Sequence, residues 1–375
     1  MNFSKWLLND LKEKKIDNVY FLARDGYIMK KAFDLLNDSD INTHYLYASR
    51  RSIVVPSLWK MEKKEDIINI IKFKKNITVK SFLKKVGLED FDFFKELKQF
   101  NYDENDIINV ENLIKNKDNK FLNFYDGIFD KIKDNSKKEW YSLKNYFDKE
   151  NVRGKIAIVD IGWNGTMQKA ISNIIPELDI YGYYMGIVPE ACLSKKDFAK
   201  GFLFDENHGK NVYKRFHYFI EIFEFLFLAQ HGSVKKFCLS DKYVELYDYE
   251  YENSIELKKV IEMQYAAINY ISDNKNTCEY LDKKCYRKLL KKMLYPKMID
   301  AIQFGDIKFC DDEEKYIAKP KMDTREYFLN LRELKEDFIQ ASWRIGFLKR
   351  VLKIKLPYYH INQFLRMIFI NNNRG

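Results

Sequence analysis

The chain predicts an α/β protein built on a parallel sheet, and three observations carry that prediction. Short apolar runs rich in β-branched and aromatic residues occur at Asn18–Ala23 and Lys155–Asp160. Each is followed by a glycine-containing loop, and each loop opens into apolar residues at helical spacing. A further apolar run then follows each helix, so the segments read as two β-loop-α-β units of one sheet with right-handed crossovers.

Taken in order, Ser4 is placed to cap a first helix reaching Lys14, and Asn18–Ala23 is the first buried strand. Arg24-Asp25-Gly26 supplies turn chemistry, and Tyr27–Leu36 carries Ile28, Met29, Ala32, Phe33, Leu35 and Leu36 on a helical stripe. His44–Ser49 is the next strand. From residue 57 to 151 the pattern changes to amphipathic helices dense in Lys, Asp and Asn, with Thr78 and Asp103 as caps and no strand, which reads as a helical insertion. The sheet resumes at Lys155–Asp160, passes through the loop 161–166 and the helix Met167–Ile175, and returns at Ile180–Val188. Residues 1–56 and 152–190 thus form the core, and 191–375 read as a mostly helical region. That region holds an apolar helix over Tyr213–Ala229, a hairpin at Ser233–Tyr249 turning at Ser240-Asp241, and long helices from about Ser254.

Composition narrows the function classes. Of 375 residues 46% are hydrophobic, and only 14 Gly and 6 Pro interrupt them, which excludes fibrous and disordered chains. A net charge of +10 favours anionic partners. The five cysteines include no Cys-x-x-Cys pair, so a disulfide framework and a zinc ribbon are not expected, and a reducing cytoplasm fits. The first fifteen residues lack the apolar run of a signal peptide. Tyr218–Ala229, the most apolar stretch, carries Glu221 and Glu224 and is too short to span a bilayer. No helix-turn-helix, zinc finger or RNA-binding signature appears, so nucleic acid is not an expected partner. Residues 341–375 hold seven basic and no acidic residues among apolar ones, the make-up of helices lying on an anionic membrane. A face packed on the protein has the same pattern.

The segment Ile156–Ile171 carries the clearest chemistry. An apolar strand ending in Asp160 opens through Gly162, Trp163, Asn164, Gly165 and Thr166 into a helix beginning at Met167. Glycines let backbone approach a phosphate, and the free N–H groups of the helix end favour an anion. Asp160, at the carboxyl end of its strand, is placed for ribose hydroxyls or hydrated Mg²⁺. An ordinary strand-to-helix turn has the same residues. Arg24-Asp25-Gly26 repeats the arrangement at the same sheet edge, and Ser49-Arg50-Arg51-Ser52 offers forked donors to a diphosphate, or simply solvated arginines. Glu224 is a candidate base for an acceptor hydroxyl and His231 a hydrogen-bond partner for phosphate or acceptor; pairing and packing are their alternatives. His44, His208, His217 and His360 show no metal-ligand spacing.

The strand, VDIGWNGTMQ (159–168) and the helix after it resemble the signature of type I phosphoribosyltransferases. More closely, YFLARDGY (20–27), YLYASRRS (45–52), VDIGWNGTMQ and EFLFLAQHGSV (224–234), in this order, resemble a bacterial family of capsule and O-antigen gene clusters, often fused behind a haloacid-dehalogenase-type phosphatase. The resemblance implies a phosphoribosyltransferase-like fold and a glycosyltransferase that moves a pentofuranosyl 5-phosphate from 5-phosphoribosyl 1-diphosphate to a sugar acceptor. It implies Mg²⁺ as cofactor, Gly162–Met167 around the 5-phosphate, Asp160 on the ribose or metal, and Arg24, Asp25, Gly26, Ser49, Arg50 and Arg51 on the diphosphate. Asp160, Asp25 and Glu224 are then the candidate catalytic residues. Two departures stand out: Val159 occupies the place where that class has a second acid, and no Asp-x-Asp-x-Thr signature is present, so a separate phosphatase would remove the 5-phosphate. A lipid-linked glycan belongs to the implied acceptor class. A non-enzymatic nucleic-acid-binding or scaffold protein and a haloacid-dehalogenase-type hydrolase are the competing readings.

Overall fold

The computed structural model describes residues 1–71, 73, 75–110, 119–194, 197–240, 243–276, 285–311 and 313–369. Its centre is a five-stranded sheet, all parallel, made of β1 (Asn18–Leu22), β2 (Asn42–Leu46), β3 (Lys155–Trp163), β4 (Asp179–Ile187) and β5 (Phe198–Phe204), in the order β2-β1-β3-β4-β5. The chain leaves β1 toward one edge and β3 toward the other. Right-handed crossovers therefore put the helix after β1 and the helix after β3 on opposite faces.

Side-chain parity records this. Val19 and Phe21 of β1, with Ala157, Val159 and Ile161 of β3, join one core with α1 (Asn2–Lys14), α2 (Gly26–Asp34) and the C-terminal helices. Tyr20, Leu22, Ile156 and Ile158 face a second core with the insertion and the helix after β3. Strands buried on both faces read as continuous apolar runs, which is why they are visible in sequence. In the second core α3 (Arg50–Val54) and the long α4 (Asn119–Lys149) pack beside α5 (Thr166–Ile174). The insertion and the C-terminal region are thus the two outer layers of one sandwich.

Several sequence expectations are corrected. Ser4 is buried inside α1 and caps nothing; Met1 stands at the N-cap. The second strand ends at Leu46, and Ser49 instead caps α3 in a reciprocal pair with Ser52, because its hydroxyl accepts the Ser52 N–H at 3.0 Å. The insertion does contain strands, Asn76–Thr78 pairing with Ile107–Asn109. Thr78 caps the helix Val79–Lys85 as expected, whereas Asp103 only closes a turn with Asn105. β3 runs on to Trp163, through residues expected in the loop.

The boundary expected at 190 falls inside the sheet, since β5 lies beyond it. Tyr213–Ala229 is not one helix but two, Lys210–Phe216 and α6 (Ile220–Phe225). The hairpin is present as Val234–Phe237 against Val244–Leu246; Asp241 at its turn lies outside the described residues. Ser254 caps the long helix Ile255–Asn274.

The first part of the C-terminal basic segment, up to Leu352, is a core element. Trp343 is fully buried, and Ile345, Phe347, Leu348 and Val351 of the helix Arg344–Leu352 join the first core. Its cations are engaged too: Arg344 donates to the carbonyls of Phe338 and Ile339, and Arg350 pairs with Asp306 at 2.8 Å. Packing overrides the membrane reading for that helix. The following helix, Tyr358–Phe369, does expose Phe364 and Met367. No helix among the described residues is long and apolar enough to cross a membrane. Trp343→Ala should lower unfolding free energy by about 3–5 kcal/mol through the cavity it leaves, measured by denaturant titration. A change under about 1 kcal/mol would mean this segment is not core.

Candidate functional site

The reversal of direction between β1 and β3 leaves a crevice at their carboxyl ends, where open α/β sheets bind ligands. There the structure places a cavity of about 300 Å³. Three chain segments expected to act together meet in it: Arg24 and Asp25 after β1, Ser49, Arg50 and Arg51 at the start of α3, and Asp160 to Met167 around the end of β3. Glu224 of α6 closes the far side, with Ser233 beside it.

Two glycines of the β3 loop are explained by geometry. Gly162 has φ +130°, and a Cβ there would stand 2.2 Å from the Gly186 carbonyl oxygen on β4. Gly165, at the N-cap of α5, has φ +66°, and a Cβ would strike Leu193 at 2.4 Å. Neither conformation suits a side chain. Among the described residues no side chain caps α5, so its first-turn N–H groups stay directed at the cavity edge beside the Thr166 hydroxyl. Gln168, one turn in, is locked by Tyr184, whose hydroxyl donates to it at 2.9 Å, and donates in turn to the Phe198 carbonyl on β5 at 2.9 Å. The helix end is therefore fixed to the sheet.

Three carboxyl groups share the cavity. Burial raises Asp25, and the nearby Asp160 charge raises it further, while Arg24 and Arg50 oppose. Burial also raises Asp160, despite an N–H from Ile161 at 2.8 Å. Glu224 is pushed up to about 7 by burial, against the pull of the Trp163 indole N–H that donates to it at 2.7 Å, with Asp25 adding repulsion. Like charges in a low-dielectric site hold protons or take up a cation. Among the described residues no three His, Cys, Asp or Glu side chains are grouped to hold a metal. A cation here would take one or two carboxylates from the protein and the remainder from substrate oxygens and water, which is how Mg²⁺ is commonly held.

The arginines divide by role. Arg51 is bound to Glu89 at 3.0 Å and to the buried Glu139 of α4 at 2.8 Å, so it clamps the insertion to the core. Arg24 is paired with Glu250. Arg50 is exposed, lines the cavity and forms no ion pair among the described residues, and its charge lowers all three carboxyl groups. Of the cations named from sequence, Arg50 is the one available to an anion.

The remaining expectations separate in the same way. Gly26 does not line the cavity; a Cβ there would lie 2.7 Å from the Phe21 backbone, so it is the close contact of α2 with β1. Ser49 spends its hydroxyl on the α3 cap and the Val234 carbonyl at 2.6 Å. Trp163 points into the first core, stacked on Phe204, and reaches the site only through Glu224. His231 lies outside the cavity lining: its Nδ1 bonds the Gly232 carbonyl, so its Nε2 accepts the Tyr45 hydroxyl at 2.7 Å. Burial keeps that imidazole below its usual value, hence neutral. It orders the loop behind the site. Sequence reasoning missed Glu89 and Glu139, the partners of Arg51, because no local pattern signals a contact across so long a separation.

No family model matches the chain, and no curated protein does. Its chemistry therefore has to be read from the site.

Arg50→Gln should leave the fold intact, while Arg51→Gln strands the buried Glu139 and should cost roughly 3–5 kcal/mol in denaturant unfolding. Equal stability of the two variants would show that Arg51 is not the clamp.

Proposed function

We propose that the chain is a phosphoribosyltransferase-like glycosyltransferase that moves a pentofuranosyl 5-phosphate from 5-phosphoribosyl 1-diphosphate to a sugar hydroxyl in cell-surface polysaccharide synthesis. The observation that carries this reading is the meeting, in one cavity at the switch point, of an uncapped helix N-terminus, an unengaged arginine and a carboxylate cluster. Those are an anion seat, a second anion contact and a place for a cation, which is the inventory such a donor needs. The motifs that resemble the capsule family supply these same positions.

In this reading the N–H groups of α5, with Thr166 and Gly165, hold the 5-phosphate. Asp160 faces the ribose hydroxyls, and Arg50 meets the diphosphate. Mg²⁺ held by Asp160 and the donor's own oxygens would neutralise charge on the leaving diphosphate. The bond from the anomeric carbon to diphosphate breaks with its electron pair leaving on diphosphate. The acceptor oxygen bonds to that carbon, and its proton passes to Glu224. Trp163 holds the Glu224 carboxylate in position for this. Asp25 contributes negative charge beside the anomeric carbon as oxocarbenium character develops.

The competing reading, a nucleic-acid-binding or scaffold protein, accounts for the net charge but not for three carboxyl groups inside the cleft, which repel a phosphate backbone. Calorimetry with 5-phosphoribosyl 1-diphosphate and Mg²⁺ tests the proposal. Binding is expected in the wild type, with Thr166→Leu weakening it by roughly a hundredfold by filling the phosphate seat. No donor binding in the wild type, or unchanged affinity in Thr166→Leu, would overturn it.

The base role has its own signature. A carboxyl group raised to about 7 is protonated below that pH and cannot accept a proton, so kcat should fall as pH drops through about 7. Glu224→Gln should lower kcat by roughly 10²–10⁴-fold and flatten that limb. A Glu224→Gln enzyme with wild-type kcat would remove Glu224 from the chemistry.

A further inference from the structure

A second cavity of about 400 Å³ adjoins the first and shares Arg50, Arg51, Asn164 and Thr166 with it. The insertion forms its outer wall. Ile70, Ile71 and Val54 make an apolar side, Tyr247 adds an aromatic one, and Lys84 and Lys85 stand at the rim. Its lining among the described residues contains no carboxyl group, unlike the first cavity. Arg51 is neutralised by Glu89 and Glu139, but neither Lys84 nor Lys85 forms an ion pair among the described residues. The Lys84 ammonium instead lies 4.4 Å from the Tyr247 ring centre, and the Tyr247 hydroxyl is fixed by donating to Glu89 at 2.7 Å. The aromatic wall is thus held in place, and the compartment it bounds is positive.

We propose that this second cavity is the acceptor subsite and that it selects a sugar bearing an acidic group, carboxylate or phosphate. The inference rests on the reading of the first cavity as the donor site. A diphosphate with its cation belongs where the carboxyl groups are, and they line the first cavity alone. The second offers what a glycan ring with one negative substituent requires: apolar and aromatic surface for the C–H faces, and ammonium groups for the anion. The shared wall lets a hydroxyl of a sugar seated there reach toward Glu224 while the acidic group stays at the lysine rim.

Calorimetry on the full chain, loaded with 5-phosphoribosyl 1-diphosphate and Mg²⁺, tests this with three probes: a methyl hexoside, the corresponding methyl hexuronide and a methyl hexoside phosphate. At least one acidic probe should bind about tenfold or more tighter than the neutral one, and whichever is preferred identifies the source of the charge. The Lys84→Met, Lys85→Met double variant, altered at surface positions that leave the core untouched, should lose that preference while keeping wild-type donor affinity. Equal binding of neutral and acidic probes, or no binding of either acidic probe, overturns the subsite. So does a fall in donor affinity in the double variant, since the lysines would then serve the donor. Failure of the wild type to bind donor at all is a separate result, and it removes the proposed function itself.

Discussion

Asp25, Asp160 and Glu224 repel one another across a crevice from which protein has displaced most of the water, and much of the surrounding architecture answers that repulsion. Arg50 opposes it from α3, Trp163 and the Ile161 N–H each donate to one carboxyl group, and Arg24 is drawn between Asp25 and Glu250. Without a bound cation the cluster is a destabilising element, because ionised groups there lose solvation and gain repulsion. Such a cost is sustained where the site must take up positive charge or hold protons near neutrality. The same groups placed on the solvated surface would titrate normally and attract nothing in particular.

The fold decides which groups can join that cluster. In a doubly wound sheet two neighbouring strands send their connections to opposite faces, and only between them is the carboxyl edge free of a crossing helix. Here those strands are β1 and β3, so Asp25 and Asp160 are neighbours in space although far apart in sequence. The outer layers then supply the remainder. The insertion brings α4 and its Glu139 to hold Arg51, and the C-terminal layer brings α6 and Glu224. Neither layer is an appendage, since each packs one face of the sheet and borders the cavity.

What the sequence disclosed follows from how locally each feature is encoded. The two β-loop-α-β units were legible because strands buried on both faces are apolar throughout and their loops need glycine. β5 was missed: Phe-Ala-Lys-Gly-Phe-Leu-Phe carries Lys200 and Gly201 at its centre, and Lys200 pairs with Asp10 on α1 at 2.6 Å. Asp160, Asp25 and Glu224 could be named from their motifs, and the cavity contains all three. Which arginine is free could not be named, because it depends on Glu89 and Glu139, whose approach is set by the packing of a helical layer. The basic C-terminus was left open between two readings for a related reason. An amphipathic stripe records that something covers it, not whether the cover is lipid or protein, and for Arg344–Leu352 the cover is the protein's own core.

Strand parity links Asp160 at the end of β3 to Glu224 across the cavity. Successive residues of a strand point to opposite faces, so Asp160 shares the parity of Ile156 and Ile158, toward the insertion, while Trp163 shares that of Ala157, Val159 and Ile161, toward the C-terminal layer. The extension of β3 beyond Asp160 is therefore what carries an indole to Glu224 on α6. That extension requires the backbone to pass Gly162 with its hydrogen almost against the Gly186 carbonyl, a place where any side chain would force β3 and β4 apart. A single glycine thus keeps the strand paired for three residues past Asp160, and the place of the indole that donates to Glu224 is set by the sheet rather than by a flexible loop.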